Sequence, residues 1–240
     1  MSEATPQLLD VAGLQAWYGR AQVLFDVSFS LATGEVVALL GRNGAGKSTT
    51  IEAIMGLVQR TTRRAIFAGV DIAQLPSHRI ARLGLGFVPE ERRIFTDLSV
   101  EENLEVGRQP AREGRSPWTP ERLFHVFPNL AEMRSRRASQ MSGGEQQMLT
   151  IARTLMGNPL AVLLDEPSEG LSPLIVEQMS DAIRRMRDEG IAVLLSEQNL
   201  PFASRAAARA LIIDTGRIVY DGAMARVLSD AALREAHLGV

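Results

Sequence analysis

Residues 41–48, Gly41-Arg42-Asn43-Gly44-Ala45-Gly46-Lys47-Ser48, constrain this chain more than any other stretch. A strand-like apolar run, Glu35 to Leu40, leads in, and a helix-like run, Ser48 to Leu57, leads out. This is the G-x-x-x-x-G-K-[ST] pattern in the strand–loop–helix setting that gives it meaning. Its glycines let the backbone curl so that successive N–H groups point into one hollow at a helix N-terminus, a preformed site for phosphate oxygens. Lys47 supplies a point charge for β and γ phosphates, and the Ser48 hydroxyl can ligate Mg²⁺.

A second constellation lies downstream. Leu160 to Leu164 is a continuous apolar run, as expected of a central parallel strand, and it ends in Asp165-Glu166-Pro167. Acids at the carboxyl end of such a strand sit where open α/β sheets bind ligands. Asp165 is suited to the Mg²⁺ shell, and Glu166 can take a proton from an attacking water. A third is Ser142-Gly143-Gly144-Glu145 at the start of a helical run to Met156, a second anion-binding helix end.

The rest of the chain frames these parts. Leu8–Trp17 and Val23–Leu31 read as strands, with Tyr18-Gly19 as the turn between them. An exposed Tyr18 could stack on an adenine ring, or could be a half-buried strand end. Thr61 to Arg64 should turn before a short strand at Ala65 to Phe67, yet lacks glycine; Gly69-Val70-Asp71 reads as the next turn. Pro76–Leu83 is a short helix and Gly86–Val88 a buried strand. From 89 to 158 the chain alternates helical patterns (Val100–Gly107, Pro120–Phe127) with polar loops, so it divides into an α/β core, 1–88 and 159–240, and a helical insertion, 89–158. Arg134, Arg136 and Arg137 read as a solvated face. An amphipathic helix, Pro173–Glu189, a strand, Ile191–Leu195, a helix, Leu200–Ala207, a hairpin about Thr215-Gly216 and a helical tail complete the core.

Composition excludes several classes. A net charge of −2 gives no global basic field for nucleic acid. There is no cysteine, hence no disulfide or thiol chemistry. Met1 to Asp10 lacks the charged and apolar regions of a signal peptide. Apolar runs fall far short of the ~20 residues that span a bilayer, so a soluble protein is expected, with another chain supplying any membrane span. His78, His125 and His237 show no metal-ligand spacing and are expected at the surface.

The order Tyr18, Gly41–Ser48, helical insertion, Ser142-Gly143-Gly144-Glu145-Gln146, Asp165-Glu166 resembles the ATP-binding subunit of an ABC transporter over essentially the whole chain. The resemblance implies a P-loop NTPase core with an antiparallel β subdomain and an inserted helical subdomain. It implies that Tyr18, Gly41 to Thr49, Glu90 and Asp165 bind ATP, with Mg²⁺ on Ser48, Glu90 and Asp165. Glu166 and Gln198 would be catalytic. It further implies a head-to-tail dimer, homo- or heteromeric, in which Ser142, Gly143, Gly144 and Glu145 cap the partner's ATP. Permease subunits would hold the pair at the inner face of the cell membrane, with a solute-binding protein as indirect partner. Glu90 stands where the family usually has glutamine, and Gln198 where it usually has histidine. With Asp165 to Leu171 and the ending His237-Leu238-Gly239-Val240, this looks like the ATPases of branched-chain amino-acid importers. Urea or amide importers, lipopolysaccharide exporters and non-transport ATPases of the family are the alternatives.

Overall fold

The computed structural model describes residues 7–239. Two long strands, β1 (Gln7–Tyr18) and β2 (Ala21–Ala32), form an antiparallel hairpin through the Gly19 turn. β3 (Val36–Leu40) feeds the loop that opens α1 (Lys47–Ile54). Three short strands follow: β4 (Gln59–Thr61), β5 (Arg64–Phe67) and β6 (Val70–Asp71). β4 and β5 pair with β1, so the first sheet runs β2-β1-β5-β6 with β4 beside β1.

α2 (Ser77–Arg82) leads to β7 (Leu85–Val88). The chain then forms α3 (Val100–Val106), α4 (Pro120–Val126), the single turn α5 (Pro128–Ala131) and α6 (Gly143–Leu155). β8 (Ala161–Asp165), α7 (Pro173–Asp188), β9 (Ala192–Glu197), α8 (Leu200–Ala206), β10 (Arg209–Asp214) and β11 (Arg217–Ala223) return it to the core. α9 (Met224–Ser229) and α10 (Ala231–His237) end the described chain. The second sheet has the order β11-β10-β3-β9-β8-β7, parallel except for β11.

Every residue of β3, β8 and β9 is buried, as a parallel sheet covered on both faces requires. Their side chains alternate between two cores, following the period-two pleat. Val36, Ala38, Leu40, Val162, Leu164, Val193 and Leu195 join the core shared with α3, α4, α6, α7 and α8. Val37, Leu39, Leu163 and Leu194 join the core shared with α1, α2 and the antiparallel sheet.

Two local readings change. α1 stops at Ile54 rather than Leu57, because Gly56 takes a left-handed φ of 69° and the Arg60 guanidinium donates to the carbonyls of Ala53 and Ile54. Residues 70–71 are a strand paired with β5, and the turn is Ala68-Gly69. The turn without glycine is pinned by side chains: the Thr62 hydroxyl bonds the Ala12 and Arg64 carbonyls (2.9 and 2.8 Å), and Arg63 pairs with Asp26 at 2.8 Å. The helical turn at Pro128 was not anticipated.

Candidate active site

Strand order brings the separate motifs together. β9 lies between β3 and β8, so the loop after Leu40, the acids ending β8 and Gln198 after β9 meet at one edge of the sheet. This is the carboxyl edge, where parallel sheets leave strand ends and helix N-termini open to a ligand.

The Gly41–Ser48 loop wraps Lys47. Lys47 is nearly buried, at 4% exposure, and its ammonium donates to the Gly41 and Arg42 carbonyls at 2.9 and 3.1 Å. It also pairs with Glu166 Oε1 at 3.1 Å. Gly44 and Gly46 have φ of 77° and 111°, which glycine adopts without strain. A side chain on Gly46 would also strike Leu24. Ala45 accepts from Gly216 N at 2.8 Å, which fixes the loop to the β10–β11 turn.

Glu166 lies at the centre of the site. Its backbone is left-handed (φ 43°), an unusual state for a side-chain-bearing residue and one held here by its N–H bond to Ser196 O at 3.0 Å. The result is a carboxylate with Lys47 on Oε1 and the Gln198 amide on Oε2 at 2.8 Å. Gln198 also donates to the Asn43 side chain. Thus Asn43, Lys47, Glu166 and Gln198 form one network.

The expected Mg²⁺ ligands are partly assembled. Ser48 Oγ donates to Asp165 Oδ1 at 3.1 Å. Burial pushes the Asp165 carboxyl above the usual range, against the Ser48 hydrogen bond, so a cation here would restore lost stabilisation of its charge. Glu90 is exposed and bonded to neither; its carboxyl is pushed up by burial and then by Glu169, Glu166 and Asp165. Among the described residues no three or more His, Cys, Asp or Glu side chains form a metal cluster. A hydroxyl and a carboxylate nevertheless fit Mg²⁺, a hard ion that takes most of its ligands from waters and phosphates.

The remaining residues fall on either side of this centre. Tyr18 is 50% exposed, and its hydroxyl donates to Glu52 at 2.5 Å and lies 3.5 Å from Thr49, so its ring stands beside the first turn of α1. The Arg42 side chain reaches the carbonyls of Glu235 and Ala236 in α10. Ser142 caps α6: its hydroxyl accepts from Glu145 N at 3.3 Å and its N–H donates to Glu145 at 2.7 Å, a reciprocal capping box. Gly143 lies against the end of the Arg92 side chain and Gly144 against Ile175. Among the described residues, no hydrogen bond or ion pair links Ser142–Glu145 to residues 41–48.

Sequence reasoning passed over Glu197. It is 2% exposed, accepts from Ser168 N (3.0 Å) and Asn199 N (3.2 Å), and burial pushes its carboxyl up to about 7. The available signal was an acid closing an otherwise apolar strand. His78 and His125 are exposed, whereas His237 is part-buried and pairs with Asp214 at 2.8 Å. Arg134, Arg136 and Arg137 are exposed as expected.

The family model described as ABC transporter matches residues 24–169. The chain is 41% identical to the high-affinity branched-chain amino acid transport ATP-binding protein BraG of Pseudomonas aeruginosa, over 97% of this chain and all of that one. The chain belongs to the ABC transporter family, as one of its ATPases. Another relative is the lipopolysaccharide export system ATP-binding protein LptB of Escherichia coli, 36% identical over 94% of each chain. The ADP conformation of an ATP-binding cassette of an ABC transporter superposes with a TM-score of 0.80 at 26% identity, covering 96% of this chain and 98% of that one. A nucleotide-free ABC cassette gives the same score at 25% identity, with the same coverage. This ATPase therefore has the family fold from β1 to α10. No helix among its described residues is long and apolar enough to cross a membrane.

Proposed function

We propose that this ATPase energises an importer of branched-chain amino acids, closing with a second ATPase subunit around two ATP molecules and driving permease subunits at the inner membrane face. The supporting observation is the single network joining Lys47, Glu166 and Gln198 at the ends of three adjacent strands. Lys47 and the loop amides bind the phosphates, and Tyr18 stacks on the adenine. Mg²⁺ on Ser48 and Asp165, with Glu90 near, would neutralise phosphate charge. Glu166 takes the proton of the attacking water and Gln198 orients that water or the γ-phosphate. A general base contributes ~10²–10⁴ in rate. Ser142 to Glu145 serve the other subunit's ATP, which accounts for a helix end that its own loop does not engage.

The solute assignment rests on the likeness to BraG. Lipopolysaccharide export is the second reading, favoured by the LptB likeness. The docking surface proposed for permeases is a cavity of about 790 Å³ lined by Phe87, Phe95, Val106, Arg112 and Arg153, away from the residue 41–48 loop. Phe95 and Val106 are 48% and 53% exposed there. Only residues 88–94 separate Phe87 and Phe95, and they include Glu90, so this surface adjoins the ATP site in sequence. The test is to purify the ATPase with the permeases encoded beside it and place them in liposomes. Leucine-loaded binding protein should raise ATP hydrolysis; stimulation by lipopolysaccharide instead would move the chain to the export class.

A further inference from the structure

The C-terminal segment reaches the phosphate-binding loop by two routes. First, Arg42 Nη2 donates to Glu235 O at 2.9 Å and Ala236 O at 3.4 Å. These carbonyls belong to the last turn of α10, where intrahelical partners run out and a cation is favoured. Gly239 follows at φ 77°, and its N–H closes the helix on Arg234 O at 2.9 Å. A Cβ there would come within 3.2 Å of Arg42 Nε. Second, His237 Nδ1 pairs with Asp214 Oδ2 at 2.8 Å, and the His237 hydrogen bond holds the Asp214 carboxyl below its usual range. Asp214 ends β10 and begins the turn whose Gly216 N–H bonds Ala45 O. The segment thus grips the loop near both ends, directly at Arg42 and through the β10–β11 turn at Ala45.

We propose that α10 and residues 238–239 form a clamp that positions the phosphate-binding loop, with Arg42 and His237 as positioning residues whose side chains touch no nucleotide, the backbone of Arg42 remaining part of the phosphate-binding loop. Arg42 is the pivot. Its own carbonyl accepts from Lys47 at 3.1 Å, so fixing its guanidinium also fixes an oxygen that aims the lysine. The clamp sets affinity for nucleotide. It reaches Glu166 only through Lys47, and no clamp residue bonds Glu166 or Gln198, so its effect falls mainly on affinity and little on the proton transfer. This rests on the loop binding ATP.

The test compares Arg42→Ala, a chain stopped after Asp230, and the two combined, by steady-state ATP hydrolysis. Arg42→Ala should raise KM for ATP about tenfold, the effect of losing roughly 1.4 kcal/mol of binding, and the shortened chain, which loses the His237–Asp214 contact as well, should raise it further, with kcat within about twofold in both. The combination should be no worse than the shortened chain alone, in which the Arg42 contact is already lost. If the shortened chain does not fold, Gly239→Val replaces it, because a β-branched side chain is strained at that φ and crowds Arg42. His237→Ala, which keeps Arg42, should give an intermediate KM. Unchanged KM in the shortened chain, additive losses, or a fall in kcat alone would each overturn the clamp. A wild-type chain that fails to bind ATP would instead overturn the nucleotide reading itself.

Discussion

A buried carboxylate such as Glu197 is costly when ionised, and its two backbone donors offset only part of that cost. Its titration is therefore linked to stability. The group titrates near 4.5 when unfolded and at about 7 when folded, raised by burial with Glu166 adding to it. The folded state then binds the proton more tightly, so Glu197 imposes no penalty below pH 4.5. The penalty grows as pH rises through that window and is complete above it, at roughly 3 kcal/mol. In urea unfolding, Glu197→Gln should lose this pH dependence, so that the stability difference from wild type shifts in the variant's favour between about pH 4.5 and 7. Parallel profiles would show that Glu197 is not the group responsible. Glu166 was legible at this scale because an acid ending an apolar strand is a local pattern. Glu197 closes an apolar strand in the same way, but its role was not legible, because it depends on the loop after β8 lying beside β9, which no local spacing encodes. Arg42 shows the converse: the motif located its backbone correctly but could not say that its side chain turns to residues 235 and 236.

Elements carry their own signals when the cause of an end is local. Thr119 caps α4 and Ser142 caps α6, each hydroxyl accepting from a backbone N–H of the first turn. β3, β8 and β9 were readable as unbroken apolar runs. α1 was read too long because its stop comes from Arg60, six residues beyond Ile54, and β6 was missed because two residues are too few for any period. The cap of α6 allows its two roles to be separated. Ser142→Ala removes the acceptor for Glu145 N and should cost about 1 kcal/mol of stability. Ser142→Asp keeps a good cap but puts a negative charge where the partner's phosphate is proposed to lie. In a Glu166→Gln background with ATP, Ser142→Asp should therefore melt like its parent yet remain monomeric on a sizing column. Dimerisation equal to the parent would remove Ser142 from phosphate capping.

At the scale of the molecule, the central sheet divides two cores, and the helical side also bears the cavity around Phe95. Arg153 stacks over Phe95 at 5.1 Å and donates to Arg93 O at 2.6 Å, while the Thr150 hydroxyl donates to Arg92 O at 2.5 Å. Arg92 and Arg93 are both left-handed (φ 64° and 36°), so the segment between Glu90 and Phe95 is held by α6 in a conformation it would not keep alone. Replacing Phe95 and Val106 by serine should leave hydrolysis by the isolated ATPase within about twofold but abolish its stimulation by permeases in liposomes; retained stimulation would place the docking surface elsewhere. The Lys47–Glu166 ion pair has a different consequence. A phosphate that approaches the lysine meets a rival anion already bound, 3.1 Å away. The proposed base thus acts as a tethered inhibitor of its own substrate, and nucleotide binding must break or share that pair before Glu166 is released to a water. Removing the rival charge should tighten the resting grip on nucleotide even where no hydrolysis can occur. By calorimetry with a non-hydrolysable ATP analogue and Mg²⁺, Glu166→Gln should bind several-fold more tightly than wild type, in the range of a weakened charged hydrogen bond, ~1 kcal/mol. Equal affinity would mean that the enzyme keeps no such brake, and that any stable ATP complex of this variant owes everything to slow chemistry.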